Sequence, residues 1–148
     1  MHILDTITIT LAGLMVGNEL AVSAFFNPAV WRLESGPQAL GLSLLARSLG
    51  RVMPFWYSLC LVLFALETFL HRHQPALVPL LAATLIWVGV IVFTVSILVP
   101  INNRIASLNI VAPKPGWKED HKKWDFFHRV RILLLAVAFF ILTYALIA

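Results

Sequence analysis

The chain has 148 residues, of which 60% are hydrophobic and only 12% charged. A soluble domain carries about 25% charged residues, so this composition and a mean hydropathy of +0.89 exclude a water-soluble globule and indicate an integral membrane protein. The formal net charge of +4 would suggest nucleic acid in a soluble chain, but here the basic residues gather in loops, where membrane topology explains them and no nucleic-acid partner is expected.

Four segments reach the roughly 20 mostly apolar residues that a span requires: about 6–30, 50–70, 76–99 and 126–148. The first lacks a basic leader and carries Glu19 in mid-span, so it is expected to stay in the mature protein rather than act as a signal peptide. Its small-xxx-small pair, Gly13 and Gly17, reads as a helix-packing face. After Gly36-Pro37, residues 38–49 are mildly amphipathic and predict a short interfacial helix leading into the second span. Cys60, the one cysteine, excludes an internal disulfide and a cysteine-based metal site. Glu67 ends the second span beside His71, Arg72 and His73, and reads as a surface carboxylate in a weak exposed pairing. Pro75 and Pro79 open the third span, where a missing N–H costs little, and Pro100 closes it. The predicted architecture is all-α: a single transmembrane domain over 1–148, forming a four-helix bundle with a short interfacial helix and a polar 3–4 loop.

Arg32, Arg47, Arg51, Arg104, Lys114, Lys118, Lys122, Lys123, Arg129 and Arg131 fall on the side of the two longer loops, against Arg72 alone on the other. Ten cations against one is a strong positive-inside bias. It predicts a multi-pass protein of the bacterial inner membrane with both longer loops cytoplasmic and both termini outside.

A rise of about 1.5 Å per residue sets the depth of each polar side chain. Asn18 and Glu19 lie near the bilayer middle, Asn27 near the inner end of the first span, and Arg51 at the inner end of the second. Asn102 and Asn103 follow the third span, and His128 and Arg131 enter the fourth. With His121 and Asp125, these ten residues are predicted to converge on one cytoplasm-facing cavity. Charged groups at such depths are costly and mark functional sites by default.

The densest polar run, Trp117–Arg131, precedes the fourth span. As a helix it places His121, Asp125 and His128 at i, i+4 and i+7, on one face. Two histidines beside a carboxylate suit a transition metal, with Glu19 as a further ligand, or an acid–base set in which Asp125 orients a histidine. Glu19 itself reads as a proton acceptor, a metal ligand, or the partner of a buried ion pair with Arg131 or Arg51. Trp117 and Trp124, seven apart, either anchor the interface or flank an aromatic substrate. Three function classes follow: an enzyme acting on a lipophilic small molecule, a membrane protein binding iron, copper or zinc, and a non-enzymatic carrier or accessory subunit. A homodimer is one way for four short helices to enclose a large substrate.

Several stretches carry a family resemblance: Asn18-Glu19 with Phe26-Asn27-Pro28, Arg51-Val52-Met53-Pro54, and Val99-Pro100-Ile101-Asn102-Asn103-Arg104. The most specific is Trp117-x3-His121-x2-Trp124-Asp125-x2-His128-Arg129-x-Arg131. Together they resemble the anthrone oxygenase-like (DUF1772) family of small four-helix membrane proteins, essentially end to end. The resemblance implies oxidation of an anthrone to an anthraquinone by O2 with no flavin or haem. Carried onto this chain, it makes His128 or His121 the base and Asp125 its orienter. Arg131 with Asn102 or Asn103 would be the oxyanion partners, and Glu19 a further catalytic candidate. Asn18, Asn27, Arg51, Trp117 and Trp124 would contact the substrate.

Overall fold

A computed structural model describes residues 2–147, and every regular element among them is helical. Four helices, α1 (His2–Val30), α2 (Ser35–Leu70), α3 (Leu77–Ala106) and α4 (Trp117–Ile147), are each long and apolar enough to cross a membrane. Residue 148, the end of the expected fourth span, lies outside the described residues. α1 packs against α2 and α4, and α3 packs against the same two, giving an antiparallel ring of four. Large apolar side chains such as Phe55, Val78 and Phe140 cover its flanks, as a lipid-facing surface requires and a soluble surface does not tolerate.

Three expected boundaries differ. The interfacial helix over 38–49 and the second span are one continuous helix of 36 residues. At about 1.5 Å per residue that is roughly 54 Å, far beyond the ~30 Å hydrocarbon core, so one end projects. No strong breaker separates the two parts: a lone interior glycine such as Gly50 costs only about 1 kcal/mol. The projecting part also buries Gln38, Ala39, Leu42, Ser43 and Ala46 against the bundle. Secondly, Pro100 does not close the third span. A π-helical turn, Thr94–Leu98, precedes it, and Val99 N–H bonds to the Thr94 carbonyl, so the chain absorbs the missing N–H and continues helical to Ala106. Pro28 is accommodated in the same way, with Asn27 N–H on Val22 O after the π turn Val22–Phe26. Thirdly, α4 starts at Trp117, nine residues before its expected span.

The core has two parts. Ala12, Met15, Met53, Tyr57, Cys60, Phe64, Leu80, Ala83, Trp87, Val90, Leu135, Ala138 and Leu142 fill one half. Val22, Val30, Leu42, Ala46, Leu98, Ile101, Ile105 and Trp124 fill the half nearer the long loops. Gly13 serves packing as expected: a Cβ there would stand 3.1 Å from the Phe139 ring of α4, whereas one at Gly17 would meet nothing. Polar contacts close the loop end. Arg104 grips Asp120 through both carboxylate oxygens at 2.9 and 2.7 Å. Arg47 donates to the orphan Ala106 carbonyl at 2.8 Å, and Lys118 donates to Ser35 at 3.0 Å. Gly116, just before α4, has φ of 86°, a left-handed value that glycine adopts without strain.

Candidate functional site

At the seam between the two core halves lies a cavity of about 300 Å³, within the size range of small-molecule sites. Met53 and Tyr57 reach it from one half, Leu98 and Trp124 from the other. Its floor carries Glu19 and Arg131. Pro54, Ser58, Val95 and Val99, all exposed, form its rim between α2 and α3. The opening therefore faces the apolar flank of the bundle. Pro54 shapes this wall: having no N–H, it leaves the Gly50 carbonyl one turn earlier without its helical partner, and both residues line the cavity.

The floor is a closed polar network. Glu19 is only 3% exposed, and Arg131 is buried beside it. Glu19 Oε2 accepts from Arg131 Nη2 at 2.5 Å, and Oε1 accepts from the Tyr57 hydroxyl at 3.1 Å. The Arg131 guanidinium also stands 5.6 Å from the Tyr57 ring centroid. Among the readings of Glu19, the pair with Arg131 is the one formed; Arg51 is exposed and lies outside the cavity.

His128, fully buried, stands behind this pair. A guanidinium can only donate, so the 2.8 Å contact from Arg131 Nη2 makes Nδ1 an acceptor. Nε2–H then donates to the Glu19 backbone carbonyl at 3.2 Å. Both ring nitrogens are thus engaged, and His128 does not line the cavity. Its geometry is that of a spacer holding Glu19 and Arg131 in register.

The expected face of His121, Asp125 and His128 exists, but its members do not act together. The Trp124 indole stacks on His128 at 4.5 Å and on His121 at 6.2 Å, with interplanar angles of 16° and 15°. An aromatic ring between two imidazoles keeps them from sharing one metal ion, whose Zn–N bonds measure about 2.1 Å. Asp125 orients neither histidine: it accepts from Asn27 Nδ2 at 2.7 Å and pairs with Arg129 at 3.0 Å. Both nitrogens of buried His121 lack a protein partner, and this ring faces a separate small void with Asn27, Asn102 and Trp124. That void, about 20 Å³, has room for roughly one water by volume.

Of the ten residues expected to converge, Glu19, Asn102, Asn103 and Arg131 line the larger cavity, as does Trp124. Asn27 and His121 line the small void instead, which Asn102 also borders. Asn18 contacts Met53 Sδ at 3.7 Å outside both. Trp117 packs under the loop-end core, beneath the Lys118 ammonium, and likewise lines neither. Tyr57 was not among the expected residues. Its signal was available: a phenol within a span needs a hydrogen-bond partner, and Glu19 lay at similar depth.

The reading of Glu67 as a surface carboxylate is overturned. Glu67 is fully buried and His71 nearly so. Thr8 of α1 donates to Glu67 Oε1 at 2.9 Å, so the end of α2 is covered by the start of α1 rather than by solvent.

The anthrone oxygenase family model matches residues 42–141, about two thirds of the chain. The chain belongs to the anthrone oxygenase family. The match spans α3 and most of α2 and α4, and so includes Tyr57, Asn102, Asn103, Trp124, His128 and Arg131. Glu19 and Asn27 on α1 precede it. No curated protein and no solved structure matches the chain significantly.

Proposed function

We propose that the protein is a membrane-embedded oxygenase that oxidises a lipophilic aromatic substrate, of the anthrone or quinol type, with O2. The observation that carries this reading is the buried Glu19–Arg131–Tyr57 network on the floor of a cavity whose rim faces the membrane flank. Family membership supports this reaction class. Substrate enters laterally between α2 and α3 from the bilayer. The positive-inside bias supports an orientation with the long loops cytoplasmic and the termini outside, in a bacterial inner membrane.

For an anthrone the overall change is a ring CH2 and O2 giving a ring C=O and H2O. Glu19 takes the first proton from the CH2, leaving an enolate-type anion that is rich in electrons. Arg131, with Asn102 at the wall, holds the developing oxyanion in a low-dielectric pocket. The anion delivers electrons to O2 and a carbon–oxygen bond forms. Loss of the second CH proton then expels the distal oxygen as water. His128 keeps the two charged groups in place and touches no reacting atom. The role of base thus moves from the histidines to Glu19, the one carboxylate on the cavity wall. Glu19 accepts from Arg131, so substrate binding must loosen that pair for proton transfer.

The test is O2 uptake by protein in lipid nanodiscs supplied with an anthrone, with quinone followed by absorbance. One quinone per O2, abolished by Glu19→Gln, is expected. Turnover no faster than spontaneous autoxidation across anthrones and quinols would overturn the proposal.

A further inference from the structure

The end of the bundle remote from the cavity holds a second cluster, in which Glu67 and His71 are buried and Asp5 partly so. Asp5 and Thr8 lie on the first turns of α1, and Glu67 and His71 on the last turn of α2 and its cap. One ligand atom from each of Asp5, Glu67 and His71 lies within 4.8 Å of the others. Glu67 Oε2 and His71 Nδ1 are 3.6 Å apart, close to the ~3.4 Å edge of a tetrahedron with bonds of about 2.1 Å.

Two independent observations point to a missing positive group. First, Glu67 Oε2 and Asp5 Oδ1 are buried atoms without a hydrogen-bond partner among the described residues. Thr8 holds the other Glu67 oxygen, Oε1, so the unpartnered oxygen is the one turned toward His71 and Asp5. Second, the charges do not balance. Two carboxylates face buried His71 and, 4.0 Å from Asp5, the fully exposed imidazole of His2, and no lysine or arginine among the described residues pairs with either. Arg72, the nearest in sequence, donates instead to the Phe69 carbonyl at 3.0 Å and lies over the Phe69 ring. Buried carboxylates are normally paired or bound to a metal. The Glu19 site, with its arginine, obeys that rule without help.

We infer that Asp5, Glu67 and His71 bind one divalent transition cation, with two carboxylate oxygens and one imidazole nitrogen as ligands and an open position for water. A mixed nitrogen and oxygen set of this kind suits zinc. His71 Nδ1 is free to ligate. It lies 2.9 Å from the Glu67 carbonyl, but that carbonyl already accepts the His71 backbone N–H at 3.0 Å. Giving up the ring contact therefore strands no acceptor. Thr8 orients Glu67 from outside the ligand set, as partners of metal-bound carboxylates commonly do. The bound ion ties the start of α1 to the end of α2, making this a structural clamp rather than part of the cavity chemistry.

The experiment is titration of untagged, chelator-stripped protein in nanodiscs with Zn2+, read by calorimetry and by thermal unfolding. Expected are one equivalent of Zn2+ per chain and a midpoint raised by several degrees. Glu67→Gln and His71→Ala should each weaken binding at least ~100-fold, beyond the 10–100-fold typical of losing an outer-shell partner. His121→Gln, at the other end of the bundle, should leave it unchanged. Thr8→Val keeps the whole ligand set and should weaken binding by roughly 10–100-fold, which tests the site even if Glu67→Gln fails to fold. The inference is overturned if folded wild type takes up no stoichiometric Zn2+, or if binding survives loss of both Glu67 and His71. It does not depend on the proposed oxygenase activity: absence of turnover would leave this result unaffected.

Discussion

Removing one member of the Glu19–Arg131 pair should harm the protein far more than removing both. Arg131→Met leaves the Glu19 carboxylate in a site only 3% exposed, with the Tyr57 hydroxyl donating to Oε1 and His128 Nδ1 3.2 Å from Oε2 as the side-chain groups remaining beside it. Breaking a buried pair this way costs about 3–5 kcal/mol, whereas replacing both partners by apolar residues of similar size is often close to neutral. For a chain of this length each kcal/mol moves the midpoint by roughly 2–4 °C. Arg131→Met or Glu19→Leu alone should thus lower the midpoint by on the order of 10 °C, and the double variant should recover most of that loss. Turnover should behave differently. Losing the proton acceptor removes about 10²–10⁴-fold in rate, and the double variant should stay inactive although it is stable. The assays are thermal unfolding in nanodiscs and O2 uptake on the same samples. A single variant costing under about 1 kcal/mol, or additive losses in the double, would refute the buried-pair reasoning. A stable double variant that retains turnover would refute the catalytic role of the pair while leaving its energetics intact.

Tyr57→Phe removes one hydrogen bond to a charged acceptor, worth about 1.5–3 kcal/mol; it should slow turnover by roughly 10–100-fold while oxygen uptake and quinone formation stay coupled. Val95→Trp fills the exposed rim between α2 and α3; it should raise KM for large substrates with little change in midpoint, and unchanged KM would argue against lateral entry there. Gly13→Val drives a side chain into the Phe139 ring and should cost about 1–3 kcal/mol, whereas Gly17→Val, which meets nothing, should be near neutral by the same unfolding assay.

Depth along each span was legible in the sequence; rotation about each helix axis was not. Hydropathy located four spans, and a fixed rise per residue placed Glu19 and Arg131 at compatible depths, which is why their pairing was among the readings open beforehand. The same arithmetic put Arg51, Asn18 and Asp125 at suitable depths, yet none lines the cavity. Which face of α1 or α2 turns inward depends on packing against two neighbours, and one chain's polar positions do not fix it. The histidine face failed for a related reason. Spacing of i, i+4 and i+7 places three side chains on one side of α4, but Trp124 falls on that same side, at i+3 from His121, and its indole fills the gap between the histidines. The end of the third span was misplaced because Pro100 was read as a stop. Pro28 and Pro100 each follow a π turn that takes up the missing donor, a device that composition does not announce.

The two buried acidic sites differ in their charge balance, and that difference assigns their roles. At the cavity, one carboxylate meets one guanidinium, with Tyr57 and His128 supporting both. The site is neutral overall, so an uncharged aromatic substrate enters without adding an uncompensated charge. An anion formed there inherits Arg131 as the proton moves to Glu19. At the far end, Asp5 and Glu67 lie beside His71, with exposed His2 4.0 Å from Asp5 and, among the described residues, no guanidinium or ammonium side chain paired to either carboxylate. A site of the first kind can pass a proton back and forth while its net charge stays fixed. A site of the second kind is satisfied only when something positive stays in it. On the functions proposed above, catalysis therefore falls to the Glu19 end, and a resident cation to the Glu67 end.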